Sequence, residues 1–192
     1  RLSRLEDGFS LLECLLVAGL SLVLMSGVAT HFERLDGHRL VNMQLWEIRR
    51  GLELTRSMAR SQGQIWTACF SNDDDRCVRS YGVRWQVWRD DNQNRRLDID
   101  EKAVSKVVLD GLDLWIKLSA SGRPYVRFKR SGEALESGNF LVCWRNGLDY
   151  YPRKVIFFRS GRIRFSNRTE QAKIAIDDCP QPAAKAVTEM PT

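Results

Sequence analysis

Two stretches of this chain carry side chains whose types and spacing could do chemistry. The first is Arg159-Ser160-Gly161-Arg162-Ile163-Arg164-Phe165-Ser166-Asn167-Arg168. Ser160-Gly161 reads as a turn, and beyond it arginines alternate with apolar residues. In a strand, successive side chains take opposite faces, so Arg162 and Arg164 share one face and Ile163 and Phe165 the other. Two residues along a strand is about 6.6 Å. That is close to the phosphate spacing along one DNA strand, so the chemistry implied is binding of phosphodiesters. Arg159 and Arg168 bracket the pair. The charge is concentrated here: residues 123–168 hold 11 Lys or Arg against 3 Asp or Glu. Those residues carry +8 of a chain whose total is +6, leaving −2 elsewhere. Such asymmetry is the footprint of a polyanion-binding surface. A solvated hairpin face, or a face that meets an acidic protein, has the same composition.

The second stretch is Asp90, Asn92, Asn94, Asp98 and Glu101. Their spacing matches positions 1, 3, 5, 9 and 12 of a calcium-binding loop, in which side-chain oxygens wrap a hard cation. Arg95 occupies the sixth position, where the sharp turn wants glycine, and Arg95 and Arg96 oppose a cation. No helices flank the loop. A polar hairpin loop is therefore expected, with no metal assigned. Catalysis is not expected either: the only imidazoles are His31 and His38, no nucleophile stands beside them, and no glycine-rich phosphate loop or cofactor motif occurs.

Five cysteines remain. Cys14 lies in an apolar run and reads as a small apolar side chain. Cys69, Cys77, Cys143 and Cys179 allow three pairings. Cys69–Cys77, closing a small loop, and Cys143–Cys179, pinning the C-terminal end to a central strand, are favoured. No C-x-x-C pair suggests zinc.

The elements that must hold these groups follow from pattern. With 192 residues, the chain has room for one domain and an appendage. Six Trp and 43% hydrophobic residues exclude a disordered chain, and a mean hydropathy of −0.35 excludes a polytopic membrane protein. That mean hides a local run. Residues 9–30 carry a single charge, Glu13. As a helix of about 33 Å they are long enough to cross a bilayer. A cleaved secretory signal fits less well, because the run is long and no small-x-small site follows it. Residues 1–8 form a polar leader ending in Gly8. Residues 31–63 continue as an amphipathic helix, with Phe32, Leu35, Val41, Leu45, Ile48, Leu52 and Ala59 on one stripe. Gly37 and Gly51 weaken it locally, and Gly63 ends it. From residue 64 to 179, short Val- and Trp-rich runs between turn residues predict an antiparallel sheet or sandwich packed on the helix, an α+β fold. Residues 180–192 read as a flexible tail.

Gly8-Phe9-Ser10-Leu11-Leu12-Glu13 resembles the processing signature of type IV pilins and type II secretion pseudopilins. The resemblance implies cleavage after Gly8 by a prepilin peptidase and methylation of the new N-terminal Phe9. It makes Glu13 the assembly glutamate, paired with the N-terminal ammonium of a neighbouring subunit. A carboxylate in a membrane span needs such a partner. The segments 54–60, 85–101, 140–143 and 155–162 resemble minor pilins of the FimT/GspH type. The implied fold is a long N-terminal helix on an antiparallel β-sheet domain. The implied life cycle is single-pass anchorage in a bacterial inner membrane, with the C-terminal domain in the periplasm, followed by extraction into a pilus. Partners would be other major and minor pilins. Gly161-Arg162-Ile163-Arg164 resembles the GRxR motif of FimT-type pilins associated with DNA uptake, which implies sequence-independent binding of double-stranded DNA through Arg159, Arg162, Arg164 and Arg168. A type II secretion pseudopilin using its basic face for subunit contacts is the alternative implied by the same signature.

Overall fold

The computed structural model describes residues 10–179 except 81, 83, 109–113 and 147–148, and gives no side-chain placement for 23–36, 106–108, 145–146, 149–150 and 176. Gly8, Phe9 and the tail 180–192 thus lie outside the described residues. The chain divides into two compact units, residues 1–37 and 38–192. Helix α1 runs Leu11–Gln62.

In the first unit, Ser10 O accepts hydrogen bonds from the backbone N–H of Glu13 (3.0 Å) and Cys14 (3.2 Å), opening the helix. Leu11, Leu12, Leu15, Leu16, Val17, Leu20 and Leu22 are exposed. Among the described residues no helix is long and apolar enough to cross a membrane. The expected span continues into 23–30, whose side chains are outside the described set.

In the second unit, Val41, Leu45, Ile48, Leu52 and Ala59 are buried, as their three-and-four spacing requires of one helix face. Arg39, Glu47, Arg50 and Glu53 stay exposed. The buried stripe meets two antiparallel sheets. The first contains β1 (Trp66–Ser71), β2 (Cys77–Val78), β3 (Arg84–Trp88), β4 (Ala103–Val108) and β6 (Val126–Phe128). Strand β3 lies along one edge of β1, with Thr67 opposite Trp88 and Ser71 opposite Arg84. The other edge is shared end to end, β6 pairing with residues 66–68 and β2 with residues 70–71. The second sheet has the order β5 (Leu114–Ala120), β7 (Gly138–Asn146), β8 (Asp149–Phe157), β9 (Ile163–Phe165). Two elements escape the sequence pattern: the two-residue β2 and the short helix α2 (Arg168–Ala172).

Alternation along the strands splits their side chains between a common core and two outer clusters. Trp66, Ala68, Phe70, Trp85, Val87, Phe140, Val142, Val155 and Phe157 join the helix stripe in the core. Phe70, Trp85 and Phe140 pack as tilted and T-shaped pairs with centroids 4.9–5.7 Å apart. Gly51 is helical for a packing reason. A Cβ there would stand 2.1 Å from Trp85 Nε1, so only a glycine lets the helix seat on that indole. The propensity cost of a mid-helix glycine, roughly 1 kcal/mol, is offset by this contact.

On the outer faces, Cys69, Trp88 and Tyr125 form one small cluster, with Cys77 and Leu97 against it. Leu141, Cys143, Ile174 and Cys179 form the other. Each is closed by a disulfide, Cys69–Cys77 with Cα atoms 5.6 Å apart and Cys143–Cys179 with Cα atoms 6.0 Å apart. The second ties the segment after α2 to the middle of β7 across 36 residues of sequence. Replacing Cys143 and Cys179 by Ser together should lower unfolding free energy by roughly 2–4 kcal/mol. Thermal unfolding should show the loss, and limited proteolysis should cut first near Ile174.

Candidate nucleic-acid interface

The basic strand and its turn are built as a hairpin. Between β8 and β9, Phe158 N–H donates to Arg162 O (3.0 Å) and Gly161 N–H to Phe158 O (2.8 Å). Gly161 has φ +78°, the left-handed residue that closes a three-residue hairpin loop. Ile163 and Phe165 pack against the core, and Arg162 and Arg164 take the opposite face. Their guanidinium carbons lie 5.1 and 5.5 Å from the Phe158 ring centroid, so one aromatic ring supports both cations. Arg159 and Arg162 are exposed, as is Arg168 at the start of α2.

The two motif arginines are not equivalent. Arg164 is held by Glu170, its two terminal nitrogens donating to the two carboxylate oxygens at 2.7 Å each. Glu170 in turn belongs to a capping box: Asn167 N–H donates to Glu170 Oε2 (2.9 Å) and Glu170 N–H to Asn167 Oδ1 (2.8 Å). The Arg164 guanidinium, with the Asn167 N–H second, pulls the Glu170 carboxyl down to about 2. The sequence reading overlooked Glu170, although Asn167-x-x-Glu170 is a legible capping signature.

A second basic loop was also missed. Lys129 N–H donates to Glu133 O (2.9 Å) and Gly132 N–H to Lys129 O (2.8 Å), with Gly132 at φ +82°. Its tip, Arg130-Ser131-Gly132, repeats the Arg159-Ser160-Gly161 tip in residue type and hydrogen bonding. The two loops lie against each other. Ala134 N–H donates to Arg159 O (3.0 Å), and a Cβ on Gly161 would fall 2.1 Å from Gly132 O. Arg56 of α1 locks the pair, its Nε donating to Gly132 O at 2.9 Å. Arg56 and Arg60 also line a groove of about 500 Å³ with Glu53, Ser57 and Ser61. Helix and loops together therefore place Arg56, Arg60, Arg130, Arg159 and Arg162 on one side of the domain. The recurrence of Arg-Ser-Gly was the signal available in the sequence.

Much of the remaining positive charge is structural. Glu136, 2% exposed, accepts from Arg127 N, Nε and a terminal nitrogen at 2.8–3.0 Å. Arg123 stands 3.7 Å from the same carboxylate, and Lys129 pairs with Glu133 at 3.5 Å. Arg153 bonds Asn42 and lies over Phe165. Among the described residues no carboxylate pairs with Arg130, Arg159, Arg162 or Arg168.

The other singled-out residues lie elsewhere. Glu13 is exposed on the first turn of α1. Cys14 is a free, exposed thiol. His38 stacks on Tyr151 with ring centroids 3.8 Å apart. The Asp90–Glu101 loop connects β3 to β4 on the outer face of the first sheet. There, burial pushes the Asp90 carboxyl above the usual carboxylate range, against the lowering effect of the Arg95 and Asn94 backbone N–H groups.

The family profile described as type II transport protein GspH matches residues 46–176. That stretch is well over half of the chain. The chain belongs to the GspH family. That membership makes it a minor pilin or pseudopilin, and its helix-on-sheet α+β architecture agrees. No curated protein matches the sequence. Two crystal forms of the Pseudomonas aeruginosa PAO1 type IV minor pilin FimU are similar, with TM-scores of 0.49 and 0.48 and identities of 17% and 19%. They cover 78% and 73% of this chain and 96% and 97% of theirs.

A carboxyl held below its unfolded value near 4.5 stabilises the fold at neutral pH and loses that contribution as pH falls from 4.5 toward 2. Carboxyl-carbon NMR should therefore titrate Glu170 near 2 in the parent and move it back toward 4.5 in Arg164→Ala.

Proposed function

We propose that this GspH-family chain is a minor type IV pilin of the assembly or tip complex whose twin-loop face binds double-stranded DNA through its backbone phosphates. The observation that carries the reading is the stacking of two Arg-Ser-Gly loops, which brings Arg130 beside Arg159 and Arg162 and next to Arg56 and Arg60. Short rigid loops with exposed guanidinium groups suit planar, bidentate capture of phosphate oxygens. The cations of this face stand on two short loop tips and on the side of the packed helix α1, an arrangement suited to contacts with phosphates, which position a protein on a duplex without reading its sequence. Arg164 is held in reserve by Glu170. A phosphate competing for Arg164 has to displace that carboxylate, so Arg162 is the stronger contact of the motif.

The assembly half of the function rests on the N-terminal segment. Cleavage between Gly8 and Phe9 by a prepilin peptidase, with methylation of Phe9, would leave Glu13 five residues into the mature chain. An ionised carboxylate in the bilayer costs roughly 3 kcal/mol, which pairing with a neighbouring subunit's terminal ammonium would relieve. The exposed Leu11, Leu12, Leu15, Leu16 and Leu20 suit burial first in lipid and then among pilin helices. Residence in the inner membrane with the β domain in the periplasm agrees with two disulfides, which need an oxidising compartment. The family description, a type II transport protein, supports a second reading in which the same basic face meets an acidic pseudopilin.

Titration of the detergent-solubilised full chain against a DNA duplex at several salt concentrations separates these readings. Replacing Arg130 and Arg159 with Ala should flatten the slope of log affinity against log salt by about 2, close to 0.9 per lost phosphate contact. Glu170→Gln should tighten binding by releasing Arg164. An absence of salt-dependent binding in the parent would leave the pseudopilin reading. In cells, Glu13→Ala should remain in the membrane fraction but be missing from sheared filaments.

A further inference from the structure

The pilin reading makes no use of the loop between β3 and β4. Asp90 begins it and is only 4% exposed. Its Oδ2 accepts from Arg95 N–H at 3.1 Å, while its Oδ1 is buried without a hydrogen-bond partner. A buried carboxylate oxygen with no donor is expensive, and native interiors rarely leave one uncompensated. Because the loop's own backbone fixes Oδ2, the carboxylate faces the loop interior. Asp90 is also the residue that stands first in the calcium-loop spacing.

The remaining oxygen donors gather around the same loop. Asn92 Nδ2 and Asn94 Nδ2 both reach Asp98 Oδ2, at 2.7 and 2.6 Å. The two amide oxygens accept Asn94 N–H (3.0 Å) and Arg96 N–H (2.8 Å), which leaves each a second lone pair. Glu101 closes the ring, Oε1 accepting from Asp91 N–H at 2.9 Å and Oε2 from Asp98 N–H at 3.3 Å. Leu97 anchors the loop to Trp88 and Tyr125. Arg95, which the sequence reading counted against a cation, adopts φ +65°, the left-handed conformation that glycine takes at this position. Its guanidinium lies over the Tyr125 ring, 5.9 Å from the centroid, a cation–π contact.

We propose that the Asp90–Glu101 loop binds one calcium ion, with Asp90 Oδ1 as its buried anchor and Asn92, Asn94, Asp98 and Glu101 completing an all-oxygen shell. Among the described residues no three His, Cys, Asp or Glu side chains are already gathered into a metal cluster. The ion therefore draws Asp98 and Glu101 inward as it binds, exchanging their contacts with Asn amides and backbone for the metal. Hard oxygen donors on a loop that can adjust fit calcium; magnesium demands a tighter octahedron than this spacing offers. The loop covers the Cys69–Cys77 cluster, so ion binding stiffens that edge of the first sheet. This inference does not depend on DNA binding.

The test uses the full chain in detergent, stripped with chelator and titrated calorimetrically with calcium chloride or magnesium chloride, alongside thermal unfolding. Calcium should bind one ion per chain with a dissociation constant on the order of 0.1–1 mM. It should raise the unfolding temperature where magnesium does not. Glu101→Gln should weaken binding at least tenfold, with the unfolding temperature of the calcium-free variant checking that the fold survives, and Arg95→Gly should tighten it severalfold. Calcium uptake that is absent at millimolar concentration, matched by magnesium, or unchanged in Glu101→Gln would overturn the proposal.

Discussion

The domain depends on how closely helix α1 can approach the sheets. Gly51 sets that distance, because its missing side chain is the space in which Trp85 lies. Once the helix is seated, Val41, Leu45, Ile48 and Leu52 reach Phe70, Phe140 and Phe157, and the core closes. The same absence of a side chain recurs at the basic face. Gly161 lets its loop touch the carbonyl of Gly132, and Arg56 of the seated helix reaches that carbonyl as well. Helix position and guanidinium placement are therefore one constraint, expressed at two ends of a single packed layer.

Charge on this surface divides by what holds it. Arg127 and Arg123 are committed to the buried Glu136, and Arg164 is committed to Glu170. Arg130, Arg159 and Arg162 have no such commitment among the described residues. A count of basic residues between 123 and 168 treats these groups alike, yet the second group, with Arg168, can meet a phosphate without displacing a carboxylate. In the proposed DNA-binding role, the contribution falls to a few exposed loop arginines and depends on the hold of Glu170 on its neighbour.

Much of the architecture was legible because local pattern carried it. The helix stripe, the Val- and Trp-rich strands and the Ser-Gly turns each leave a periodic or compositional trace, and the chosen cysteine pairs join residues that the structure also joins. Less was legible where partners are distant in sequence. Helix α2 is too short for periodicity to register, so Glu170 went unseen despite its capping box. The loop at Arg130 looked like an ordinary turn, since nothing local says that it stacks on residues 159–161.

The sequence by itself determined the class of the protein: an apolar run with one carboxylate, a segment that resembles a processing signature, an amphipathic helix and a β-rich domain with four cysteines. These are properties of residue order, because hydrophobic spacing and turn chemistry act over a few residues. Only the tertiary structure decided which arginines are spoken for, that two Arg-Ser-Gly tips meet, and that Asp90 is buried with one oxygen unmatched. Those outcomes arise from long-range packing, where a side chain's partner is chosen by the space left between elements and not by its neighbours in the chain.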